Sequence, residues 1–286
     1  MTTQTTIGAT WLRARRALLA HSETPGLDAQ LLLCQVTQRD RAWLLAHPEA
    51  PLETAQEVAY SDALQRCLAG EALPYVLGWW EFFGRRFGVN RSVLIPRPET
   101  ELLIEHALEY LAGHADCDLA LDVGTGSGCI AVTLAAKVPY LELVATDIDS
   151  AALATARANA LRHGVEERIR FVRADLAASL AGPFALVCAN LPYVPGQGLD
   201  ELAVAQREPR RALDGGAQGL ALIRTLLAQL PHLLAPVGRA LLEIDVSHGD
   251  QVLAAVRQAL PSAEAQILPD LAGKDRLLVI DREDAM

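Results

Sequence analysis

Lysine is almost missing from this chain of 286 residues: Lys137 and Lys274 are the only two, and the other 23 basic residues are arginines. In a sequence rich in alanine and leucine, a GC-rich coding bias accounts for this without a special role for arginine. Acidic residues outnumber basic ones 35 to 25, and the formal charge of −10 argues against broad nucleic-acid binding, which depends on neutralising phosphates. It leaves room for a local basic patch. No uninterrupted apolar run approaches the roughly 18 residues of a membrane span. The stretch carrying Arg13, Arg15 and Arg16 lacks the charged, apolar, small-residue order of a signal peptide. The cysteines (Cys34, Cys67, Cys117, Cys129, Cys188) are dispersed with no C-x-x-C, so neither a disulfide framework nor a zinc site is expected. Repeats and low-complexity tracts are missing too. A soluble cytoplasmic protein is expected, free of membrane and metal. Its hydrophobic content of 51% is ample for a core, and its length favours two domains.

Helical periodicity dominates residues 1–75. Trp11, Leu12, Arg15, Leu18 and Leu19 recur at helical spacing, as do Leu27, Gln30, Leu31 and Cys34, and a third helix is expected from Glu53 to Leu68. This segment holds no cluster of catalytic residue types and reads as a small recognition domain. From 76 to 95 the texture changes: Trp79, Trp80, Phe82, Phe83 and Phe87 crowd around Gly78, Gly84 and Gly88, which predicts a β-hairpin linker. Arginines interleaved with aromatics can stack bases, but inter-domain packing is the commoner use. Over 96–286, strands and helices alternate, which predicts an α/β domain with a mostly parallel sheet covered by helices on both faces. Ligands of such sheets bind beyond the carboxyl ends of the strands.

Two motifs fall at such ends. The apolar strand Leu119–Val123 runs into Gly124-Thr125-Gly126-Ser127-Gly128 and then a helix. Glycine permits positive φ and close approach of a ligand to the backbone, and a helix start offers free N–H groups. Asp147 ends the next strand, 19 residues past Gly128, where a carboxylate can accept from both ribose hydroxyls. Asp175 is placed to accept from an adenine amino group, with Leu176 packing on the ring. Asp149 is expected to cap the following helix. Asp122 either steadies the turn or meets a methionine amino group.

The second motif, Asn190-Leu191-Pro192-Tyr193, ends the apolar run Phe184–Ala189. Such a tetrapeptide can be a mere strand-ending turn. Beside a glycine turn and a strand-tip aspartate, it suggests methyl transfer from S-adenosylmethionine to a planar nitrogen. An amide nitrogen is a poor nucleophile because its lone pair is delocalised. Acceptors aimed at its two N–H groups, the Asn190 side-chain oxygen and the Leu191 carbonyl, can orient it and build up charge on it. Pro192 stiffens the turn, and Tyr193 offers a face for stacking. Methyl, nitrogen and sulfur must also be held in line.

These residues resemble class I S-adenosylmethionine-dependent methyltransferases. The run Ile95-Pro96-Arg97-Pro98-Glu99-Thr100-Glu101, the later Glu208-Pro209-Arg210-Arg211-Ala212-Leu213 and the carboxy-terminal Gly273-Lys274-Asp275-Arg276 are similar to the peptide chain release factor glutamine N5-methyltransferases (the HemK or PrmC family). The likeness spans essentially the whole chain. It implies a Rossmann-like domain with a seven-stranded sheet, preceded by a helical domain and hairpin that grip the substrate. It also implies methylation of the glutamine amide in the Gly-Gly-Gln loop of class 1 release factors, with S-adenosylhomocysteine as product. Carried over, the cofactor site is Gly124 to Gly128, Asp147, Asp175, Leu176 and Asn190, and the catalytic and substrate site is Asn190 to Tyr193. A monomer is expected, with no direct nucleic-acid partner. The family usually has proline where this chain has Leu191, which keeps the carbonyl but loses rigidity. Alternatives are a nucleic-acid adenine-N6 methyltransferase, a ribosomal-protein glutamine methyltransferase, and a non-catalytic cofactor-binding docking module.

Overall fold

The computed structural model describes residues 5–114 and 116–283. The chain divides into two compact units, Met1–Trp79 and Trp80–Met286. The first is helical: α1 (Ile7–Ala17), α2 (Pro25–Thr37), α3 (Arg41–Ala46), α4 (Thr54–Leu68) and α5 (Leu73–Leu77). Caps fix the helix starts. The Thr6 hydroxyl accepts from Ala9 N, and the Asp40 carboxylate accepts from Trp43 N, satisfying donors that a helix start leaves free. Leu18, Leu32, Leu33 and Leu52 fill the interior, and the buried Tyr60 hydroxyl donates to the Ala29 carbonyl at 3.2 Å.

The hairpin strands β1 (Trp79–Phe82) and β2 (Arg85–Gly88) lead into the second unit. Its elements are α6 (Glu101–Gly113), β3 (Leu119–Val123), α7 (Cys129–Lys137), β4 (Glu142–Asp147), α8 (Ser150–Arg162), β5 (Ile169–Arg173) and β6 (Phe184–Ala189). There follow α9 (Ala203–Arg207), α10 (Ala221–Leu233), β7 (Leu234–Glu243), α11 (Gly249–Ala259), β8 (Glu264–Pro269) and β9 (Asp275–Glu283). The strands form one seven-stranded sheet in the order β5-β4-β3-β6-β7-β9-β8. From β5 to β7 neighbours run parallel, whereas β9 is antiparallel to both β7 and β8. The alternating α/β architecture predicted from the sequence is thus the one observed.

Alternation of side chains splits the core into two layers. Ala120, Leu186, Cys188 and Leu241 face a layer built with α6, α7 and the hairpin residues Phe82 and Phe87. Leu121, Val187, Ala189, Ala240 and Leu242 face the opposite layer, built with Ile223, Leu226 and Leu230 of α10 and with Val252 and Val256 of α11. Burying a Leu, Ile or Phe side chain is worth roughly 1.5–3 kcal/mol, so both layers hold the sheet firmly beneath its carboxyl edge. Among the described residues no helix is long and apolar enough to cross a membrane.

Candidate active site

Strand register assembles the site. Val123, at the end of β3, pairs with Thr146 of β4 on one side and with Ala189 of β6 on the other. The next residues, Gly124, Asp147 and Asn190, therefore leave three adjacent strand tips. Ala189 also pairs with Leu242 of β7, which brings Glu243 beside Asn190. Glu243 pairs in turn with Leu277 of β9, next to Arg276.

A cavity of about 590 Å³ lies at these tips. Gly124, Gly126, Asp147, Asp175 and Leu176 line it, and so do Asn190, Leu191 and Pro192. The remaining expected residues stand behind its wall. The Thr125 hydroxyl donates to Asp122 at 2.6 Å, and the Ser127 carbonyl accepts from the buried Asn159 at 2.8 Å. Gly128 has φ +80°, and a Cβ there would lie 3.1 Å from that of Ala156. Tyr193 is not in the lining; its hydroxyl donates inward to Glu243 at 3.2 Å.

On the cofactor side, the Asp147 carboxylate accepts from Gly126 N and from Asp149 N, both at 2.9 Å. Burial raises its pKa, and these two N–H groups pull it back. Each carboxylate oxygen keeps a further lone pair for a ligand hydroxyl. Asp149 caps α8 by accepting from Ala151 N, as expected. Asp175 is exposed, and Leu176 is buried with φ +50°. A leucine held in that left-handed conformation costs about 1–2 kcal/mol, and such strain concentrates at ligand sites. Asp122 is fully buried, supports the turn through Thr125 and Ala131 N, and does not reach the cavity. Desolvation lifts its pKa to about 7 against the pull of those two donors. The Leu191 side chain is 3% exposed, and its Cδ2 would lie 2.9 Å from a Cβ at Gly124. The two motifs therefore share a wall.

On the other side, Asn190 Nδ2 donates to the Thr100 hydroxyl at 2.9 Å, and that hydroxyl donates to Glu243 at 2.6 Å. Burial raises the Glu243 pKa, while the Thr100 and Tyr193 hydroxyls and the Arg276 charge lower it. Arg97 pairs with Glu208, whose second oxygen accepts from Ile95 N at 3.0 Å. This joins the Ile-Pro-Arg-Pro-Glu run to the segment whose Pro209, Arg210 and Arg211 line the cavity. Sequence reasoning missed Thr100, Glu243 and Arg276 as site residues, although two lay in quoted motifs. The available signal was Glu243 itself, a carboxylate set between the apolar residues Ala240-Leu241-Leu242 and Ile244.

The seven-stranded sheet with its glycine turn and strand-tip carboxylate defines a methyltransferase domain of the S-adenosylmethionine-dependent class. The catalytic domain of human METTL16, solved with an RNA hairpin, shares this fold at a TM-score of 0.55 and 20% identity, over 79% of this chain and 82% of that one. Residues 10–78 match the family described as "PrmC N-terminal domain" and residues 98–233 the "Methyltransferase small domain". A release factor glutamine methyltransferase of Nitratidesulfovibrio vulgaris is 39% identical over 98% of this chain and 97% of its own. One of Chlorobaculum tepidum is 42% identical over 89% of each chain. The protein belongs to the release factor glutamine methyltransferase family.

Proposed function

We propose that this chain transfers a methyl group to the side-chain amide nitrogen of the glutamine in the Gly-Gly-Gln loop of class 1 peptide chain release factors. The observation that carries this is Asn190, held by its own amide nitrogen at the strand tip next to the glycine turn. The cavity fits the cofactor. Its wall offers carboxylates for hydroxyl and amino donors, apolar Leu176 and Ile148 for a ring, and main chain at Gly124 and Gly126 for close approach.

When bound, S-adenosylmethionine supplies an electrophilic methyl carbon on a sulfonium sulfur. Asp147 would hold the ribose hydroxyls, Asp175 the adenine amino group and Leu176 the ring face. Asn190 Oδ1 would accept one N–H of the substrate amide and the Leu191 carbonyl the other, orienting the nitrogen for in-line attack. The N-methylated amide cation is strongly acidic, so its proton leaves to water without a dedicated base. The helical unit, which carries none of the cofactor motifs, would supply grip on the release factor. Exposed Leu12, Leu19, Leu45 and Val58 offer apolar surface for that role.

The test is incubation with labelled cofactor and a purified class 1 release factor, beside the same factor with alanine for the loop glutamine. Label on the native factor alone is expected. Label on both proteins, or only on added RNA, would overturn the assignment.

A further inference from the structure

We infer that Thr100 and Glu243 are positioning residues that decide which end of the Asn190 amide faces the substrate. This rests on the proposed role of Asn190. The two ends of an amide are nearly alike in size but opposite in hydrogen bonding. Only the oxygen can receive a substrate N–H, so something must choose the orientation.

The choice is made two residues away. Glu243 is 2% exposed and meets a hydroxyl at each of its oxygens, accepting from Thr100 at Oε2 and from Tyr193 at Oε1. The Thr100 hydroxyl, 2.6 Å from Oε2, therefore spends its single proton there. Toward Asn190 it has only lone pairs left, so the group it meets at 2.9 Å must be the Nδ2 donor. Oδ1 is thereby turned away from Thr100. In the reverse orientation, Oδ1 would face the Thr100 lone pairs while the NH₂ met the substrate's N–H groups, a mismatch at both ends.

The same carboxylate accepts from Tyr193 at 3.2 Å, so it anchors both ends of the tetrapeptide. Burial opposes its ionisation most and Glu99 acts the same way, while the Thr100 and Tyr193 hydroxyls and the charge of Arg276 favour it. Arg276 is itself held near Asp270. Four segments far apart in the chain thus converge on one orientation.

Thr100→Val keeps the volume and removes the hydroxyl, and Thr100→Ser restores it. With valine, the productive orientation leaves one Asn190 N–H without its acceptor. An unsatisfied donor of this kind corresponds to a fall in kcat of roughly ten- to a hundredfold. Serine should recover most of that loss. The dissociation constant for S-adenosylhomocysteine, measured by calorimetry, should stay unchanged in both variants. Thr100→Ala serves in place of valine should the valine protein not fold. Wild-type kcat in the hydroxyl-free protein, equal loss in valine and serine proteins, or a loss that tracks cofactor affinity would each overturn the inference. Absence of release-factor methylation by the wild-type enzyme would instead sink the proposed function, so the two failures are told apart by the wild-type control.

Discussion

The cofactor half of the cavity is held by main-chain geometry, whereas the amide half is held by side-chain chemistry. Around Gly124 to Gly128, backbone N–H groups donate to Asp147 and Asp122, with one side-chain donor, the Thr125 hydroxyl, on Asp122, and three glycines hold positive φ angles. Around Asn190, the contacts are a hydroxyl, a phenol and a carboxylate, linked over 2.6 to 3.2 Å. The first half should fail through strain and the second through loss of a single polar atom. Stability and turnover should therefore separate.

The largest effect is expected from Asn190→Ala. Removing a group that orients the reacting nitrogen should lower turnover by roughly 10²–10³-fold, while thermal unfolding stays close to that of the parent. Steady-state methylation with parallel melting curves would check this, and near-normal turnover would refute the clamp. Next comes Gly128→Ala, where positive φ and the Ala156 contact combine. A loss of about 1–3 kcal/mol in denaturant unfolding is expected, with weaker cofactor binding alongside. Slower turnover with stability and affinity intact would contradict the split between the two halves.

The smallest effect concerns Asp122, which supports the turn without entering the cavity. Its pKa is raised from 3.8 to about 7 by burial, so the folded state binds this proton more tightly than the unfolded state does. Its stabilisation is complete below about 3.8 and is lost as pH rises through about 7. The stability difference between the parent and Asp122→Asn should therefore move against the parent by about 1–2 kcal/mol between roughly pH 5 and 6.5. A difference independent of pH would assign the titration to another group.

Much of the cofactor half was legible in the sequence because its parts sit at the ends of apolar runs. The helix expected directly after the glycine turn is α7, which starts at Cys129, the next residue. The first residues of β7 were hidden in the sequence, because Pro236 and Gly238 mask a strand that begins at Leu234. The short α3 and α5 also escaped, since five or six residues give periodicity little to register. The side-chain relay was invisible for a deeper reason. Thr100 lies 90 residues from Asn190 and 143 from Glu243; strand register joins the last two, and the turn before α6 brings Thr100 to them. Periodicity along a chain does not report pairing between strands.

The contact between Leu191 and Gly124 bears on how this site can be transplanted or redesigned. In place of the proline ring that the family resemblance leads one to expect, this chain wedges a branched side chain against a neighbouring loop. Rigidity is borrowed from packing instead of built into the covalent backbone. Positions 124 and 191 are then coupled by space: the absent side chain at one is the room occupied by the other. A graft that carries the tetrapeptide without its glycine loop would import a wedge with nothing to press on.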